Sequence, residues 1–157
     1  MKKMLYLPLL VLLFACGGND AETETLPATE ISLWDADMDS VGNLVMEKRL
    51  TPELDTLSVN TILSHINSSN PTIVLEQVRV TADTLFLRIT DAHYLTQQMG
   101  SSGPDVYIAE VVYNFTELPG IRFVHLDFEE GDHAQPGLFK REDFEVSIRP
   151  AAENPQP

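Results

Sequence analysis

The chain has 157 residues and carries 24 acidic against 10 basic side chains, a formal net charge of −14. That balance excludes a nucleic-acid binder, which needs a basic footprint to displace counterions from phosphates. It also disfavours docking of the folded part on an anionic lipid surface, and the one cysteine leaves no intrachain disulfide to form.

Lys2 and Lys3 open the chain, and residues 5–14 form an apolar run broken only by Tyr6 and Pro8. This is the charged, apolar, small-residue order of a secretory signal. The run is about 10 residues, too short for the roughly 20 that span a bilayer. Leu13-Phe14-Ala15-Cys16 resembles a bacterial lipobox. The resemblance implies cleavage before Cys16 and acylation of its thiol, with palmitate-type chains as the covalent lipid. Several acyl chains, at about 0.8 kcal/mol per buried CH2, anchor a protein stably. Gly17 follows Cys16. An Asp there favours inner-membrane retention in double-membraned bacteria, so the expected location is the outer membrane, on its periplasmic or surface face. The outer face of the cytoplasmic membrane is the alternative. Loss of residues 1–15 removes Lys2 and Lys3, leaving 8 − 24 = −16.

Residues 16–29 are small, polar and acidic and read as a flexible tether. Residues 30–148 suffice for one domain with a real core. Residues 149–157, with Pro150, Pro155 and Pro157, read as a disordered tail.

Within the domain, Ile31, Leu33 and Trp34 predict a strand, residues 35–43 a turn, and residues 44–50 a second strand with exposed Glu47 and Lys48. Thr51-Pro52 breaks the pattern. Val59, Ile62, Leu63 and Ile66 then follow the spacing of one helical face, with Asp55 or Thr56 as the cap. Residues 67–71 end that helix. Residues 74–80 and 85–89 alternate around Thr81-Ala82-Asp83 and predict an antiparallel hairpin. Residues 91–103 read as a loop. Ser101 or Ser102 caps a second helix, Pro104 sits in its first turn, and residues 106–115 are apolar on more than one side. Leu118-Pro119-Gly120 turns into a strand at residues 121–128, a polar loop follows at 129–137, and residues 138–148 add a short final element. The order is β-β-α-β-β-α-β. It predicts an α+β fold, a small mixed or antiparallel sheet with two helices packed on one face.

The helix, hairpin, loop, helix, turn and strand of this order, and above all residues 107–124 (YIAEVVYNFTELPGIRFV), are similar to the GerMN domain of sporulation and germination proteins. In that family a helix ends in a Thr-x-x-Pro-Gly turn before a strand. The resemblance spans roughly residues 30–144. It implies a compact module like the ring-building domains of extracytoplasmic assemblies, often lipid-anchored, with no catalytic residues to carry over. Residues 129–139 are more polar than the family pattern.

Four constellations invite chemistry. Glu129, Glu130, Asp132 and His133, with His125 one strand earlier, join carboxylates to imidazole as a divalent-metal set would. They lack the HExxH spacing and a cysteine pair. Asp35, Asp37 and Asp39 alternate as calcium loops do, but Ser40 stands where the EF-hand has Gly, and Met46 where it has the bidentate Glu. Asp favours turns in any case. Asp132, His133, Pro136 and Gly137 would form a ligand-facing loop. Ser101 and Ser102 with His93 lack the spacing of any nucleophile motif.

The expectation is a non-enzymatic envelope lipoprotein without a cofactor beyond its lipid, calcium being the one candidate ion. It would bind an envelope protein or its own copies. The alternatives are a ligand- or glycan-binding lipoprotein using Trp34, Tyr94, Tyr107 and Tyr113, and a metal-dependent hydrolase built on His93, His125 and His133.

Overall fold

A computed structural model describes residues 31–51 and 54–149. Cys16, the expected leader and tether, and residues 150–157 lie outside the described residues.

Strands β1 (Ser32–Met38) and β2 (Leu44–Leu50) form an antiparallel hairpin. Asp39 shapes its turn. Its carboxylate accepts from the backbone N–H of Val41 at 2.9 Å and of Asn43 at 2.8 Å, and Gly42 supplies the left-handed φ of +88°. Glu47 and Lys48 are half-buried rather than exposed, because β2 lies between β1 and a later strand.

Helix α1 (Val59–Ser69) buries Ile62 and Ile66, as its spacing predicted. Its cap is Ser58, not Asp55 or Thr56. The Ser58 hydroxyl accepts from the Thr61 N–H, and the Thr61 hydroxyl accepts from the Ser58 N–H. This reciprocal box satisfies two otherwise orphaned donors. β3 (Leu75–Thr81) and β4 (Thr84–Ile89) form the predicted hairpin around Ala82 and Asp83. Ala82 takes a positive φ of 52°. β3 carries a bulge between Gln77 and Arg79.

The segment expected as a loop contains a π-helical turn, Tyr94–Gln98, that buries Leu95. α2 runs over Gly103–Phe115 with Pro104 in its first turn. Ser102 occupies the cap position, but its backbone is already right-handed helical and its side chain makes no capping bond. β5 (Phe123–Asp127) lies parallel to β4, and β6 (Gly137–Phe139) antiparallel to β5. After a 3-10 turn at Arg141–Asp143, β7 (Val146–Arg149) pairs in parallel with β2.

The fold is α+β. The strands divide into two mixed sheets, β1-β2-β7 and β3-β4-β5-β6. The final segment thus contributes one strand to each sheet and ties them together.

α2 explains why its sequence is apolar on more than one side. Tyr107, Ile108, Val111, Val112 and Phe115 join the main core with α1 and the inner face of the four-stranded sheet. Ala109 and Tyr113 face the other way, towards Trp34, Leu44 and Met46 of the three-stranded sheet. One helix serves two cores.

Each helix also closes a sheet edge. On α2, Asn114 is fully buried. Its Oδ1 accepts from the Trp34 N–H at 2.8 Å and its Nδ2 donates to the Trp34 carbonyl at 2.7 Å. Asn67 of α1 does the same for Leu75 of β3, at 2.9 and 3.0 Å. An amide side chain stands in for a neighbouring strand's peptide group, so the edge backbone stays satisfied.

Candidate functional site

The predicted acidic constellations serve separate local purposes. Asp35 pairs with Arg49 at 2.7 Å, Asp37 accepts from the Met38 N–H at 2.7 Å, and Asp39 organises its turn. Hydrogen bonds from that turn's backbone and the Asn43 side chain hold the Asp39 carboxyl below the usual range. Among the described residues, no three His, Cys, Asp or Glu side chains gather into a metal-holding group.

The loop at residues 129–137 is docked rather than free. The His133 N–H donates to the Thr96 carbonyl at 3.1 Å, and Gly131 bonds Ala134 at 3.1 Å. The Gln97 amide faces Asp132, its two polar atoms 3.0 Å from Oδ2 and 3.1 Å from the backbone N. A Cβ on Gly131 would lie 2.5 Å from that of Thr96, so the loop seats closely on the π-helical turn. Phe128 and Ala134 anchor it in the core, while Asp132, His133 and Pro136 remain exposed and Gly137 half-exposed. His93 lies across from Glu129 and Glu130 along a shallow groove, and His125 lies elsewhere, on β5.

Of the four proposed aromatic platforms, Trp34, Tyr107 and Tyr113 are buried, which removes them as ligand surfaces, and Tyr94 is partly exposed. Trp34 belongs to a structural knot at the end of α2. Its Nε1 donates to Glu117 at 2.8 Å, Arg141 donates to the same carboxylate at 2.6 Å, and Lys48 lies at 3.3 Å. Arg141 also donates to the Tyr113 carbonyl, and it stands 4.9 Å over the Tyr113 ring. Burial raises the Glu117 carboxyl, but the hydrogen bonds from Trp34 and Arg141 and the charges of Arg141 and Lys48 outweigh it, and the net shift is downward.

The four-stranded sheet has an open face. The helices cover the other face, where Leu85, Leu87, Val124 and Leu126 are buried. On the open face the register aligns Arg79, Phe86, His125 and Leu138, one residue from each strand. The Arg79 guanidinium lies 3.7 Å over the Phe86 ring. Phe86 and His125 stack with centroids 5.1 Å apart and 27° between planes. His125 Nδ1 is buried with no hydrogen-bond partner. Leu138 is 55% exposed at the far end. The next row aligns Glu76, Arg88 and Asp127, with Arg88 paired to Asp127 at 3.0 Å. A groove of about 290 Å³ runs between the rows.

Arg79 differs from most of its kind in this chain. Lys48, Arg49, Arg88, Arg122, Arg141 and Arg149 all pair with carboxylates. Arg79 has no such pair among the described residues. Its contact with Phe86 holds the guanidinium in place while its N–H donors have no partner among the described residues, which is a preorganised arrangement for an outside acceptor.

Arg79 and Leu138 were not among the predicted site residues. Alternation along β4 and β5 puts Phe86 with Arg88 and His125 with Asp127, but no local signal fixes which strands lie side by side. No family model matches the chain, and neither the curated proteins nor the solved structures contain a significant match.

Proposed function

We propose that this chain is a lipid-anchored, non-catalytic interaction module of the cell envelope. Cys16 carries the anchor, the outer membrane is its location, and the open face of the four-stranded sheet is where a partner docks. The observation that carries the docking reading is the aligned row of Arg79, Phe86, His125 and Leu138, a free guanidinium followed by stacked rings and an exposed aliphatic side chain. Aromatic and arginine side chains supply most binding energy in protein interfaces. Other polar side chains are engaged in caps, turns and ion pairs, as at Ser58, Asp39 and Glu117. The lipid anchor rests on the sequence of residues 2–16 alone.

A photo-crosslinking side chain placed at Leu138 in native membranes tests the docking face. Val41, 78% exposed on the β1–β2 turn, is the control position. A reproducible adduct at Leu138 and none at Val41 supports the reading. Equal labelling, or none at either position, refutes it. Loss of palmitate incorporation and of membrane association in C16S checks the anchor independently.

A further inference from the structure

We infer that the occupant of the open face is an extended, acidic and apolar segment of another protein, whose carboxylate is gripped by Arg79. This rests on the docking reading above and adds the chemistry of the partner.

Charge complementarity comes first. The chain carries 24 carboxylates to 10 cations, yet the Arg79 guanidinium pairs with none among the described residues, while six other cations are paired. Its flat face is committed to Phe86 at 3.7 Å. Its edge presents donors in a fixed fork that fits a carboxylate bidentately, and little side-chain freedom is left to lose on binding.

Spacing comes second. Neighbouring strands lie about 4.8 Å apart, so the row from Arg79 to Leu138 extends roughly 14 Å across three gaps. An extended peptide advances about 3.3 Å per residue, and side chains two apart share a face. A carboxylate seated on Arg79 therefore places the side chain two residues on over the outer edges of the stacked Phe86 and His125 rings. The side chain four residues on meets Leu138. The row recognises acid-x-apolar-x-apolar. A phosphate or lipid headgroup would use Arg79 but leave the aromatic and aliphatic end of the row unused.

The probe is a capped peptide, Gly-Glu-Thr-Val-Thr-Val-Gly, titrated against the full-length protein in mild detergent and followed by fluorescence anisotropy and NMR. We expect binding that weakens with salt, shifts at the Arg79 side chain and the His125 ring, and a loss of about tenfold or more in R79Q, the scale of a lost hydrogen bond to a charged group. A peptide with Gln in place of Glu should lose a similar factor. R79K should recover only part, since a point charge replaces the fork. No binding of the Glu peptide overturns the proposal, as does equal binding of the Gln peptide. In the latter case Leu138 crosslinking still stands, so the acidic partner fails while the docking face survives. Arg79-dependent binding to phosphatidylglycerol vesicles instead of the peptide would make the occupant a membrane and overturn the proposal. A dimer in sedimentation that R79Q dissolves would make it a second copy, with the same consequence.

Discussion

Arg141 and Arg79 both lie against aromatic rings, one at each sheet, and they do opposite things. At the three-stranded sheet, Arg141 stands over Tyr113 and Trp34, and Glu117 takes its charge. There Arg141 is spent inside the molecule, on the Thr116 hydroxyl, the Tyr113 carbonyl and the Glu117 carboxylate. At the four-stranded sheet, Arg79 stands over Phe86 with no carboxylate and no covering layer among the described residues. The same pair of residue types builds a lock where a half-buried acid lies beside it, and an available surface where none does. The position of the acid makes the difference, and residue type alone would not reveal it.

Five substitutions would break or sharpen that contrast. The largest effect belongs to N114A. It strips both partners from the buried Trp34 backbone, and two unsatisfied buried groups cost about 1–3 kcal/mol each. The loss in urea unfolding should be about 3 kcal/mol or more, whereas N67A, at a partly solvated edge, should lose about half as much. Equal losses would mean that the two edges are equally closed.

E117Q comes next. It leaves Arg141 and Lys48 without their counter-charge in a half-buried site, and about 2 kcal/mol of stability should go. The sign of its pH dependence follows from the lowered Glu117 carboxyl. A carboxyl that is more acidic folded than unfolded stabilises the fold above the ordinary glutamate range. That contribution is lost as pH falls through the folded value. E117Q should flatten the acid limb of stability against pH.

Glu110 of α2 gives the reverse sign. Burial, with Asp35 adding repulsion, pushes its carboxyl from 4.5 up to about 7. The fold therefore prefers the protonated form. The benefit is complete below the ordinary glutamate value and is lost as pH rises through about 7. E110Q should stabilise the protein at pH 8 by about 1–2 kcal/mol and leave it unchanged at pH 4. A destabilised E110Q at pH 8 would show that the ionised carboxylate has a partner.

The smallest effect is R79Q. An exposed cation–π contact is worth about 0.5–1 kcal/mol, and an exposed surface substitution usually changes stability by under about 0.5. A melting temperature close to wild type is the expected result. A loss approaching that of E117Q would make Arg79 structural and erase the contrast.

Legibility in the sequence followed the range of the interaction. The Ile62 and Ile66 face, the β3–β4 hairpin and the Pro104 start of α2 rest on neighbours within a few residues, and all were readable. The caps were less so, because several Asp, Thr and Ser residues compete within one turn. Ser58 prevailed through Thr61, three residues on. Asp35, Asp37 and Asp39 looked like one set by alternation, yet each found a different nearby partner.

By itself the sequence determined the α+β class, the two helices, the central hairpin and the acidic surface, since periodicity and turn chemistry are local. It also supplied the residue pattern at positions 2–16 on which the anchoring proposal rests. Only the tertiary structure decided that the strands form two sheets, that Asn114 closes an edge 80 residues away, and that Arg79, Phe86, His125 and Leu138 share a row. Those outcomes depend on strand register and on which buried donors find acceptors, and both are settled by packing between segments far apart in the chain.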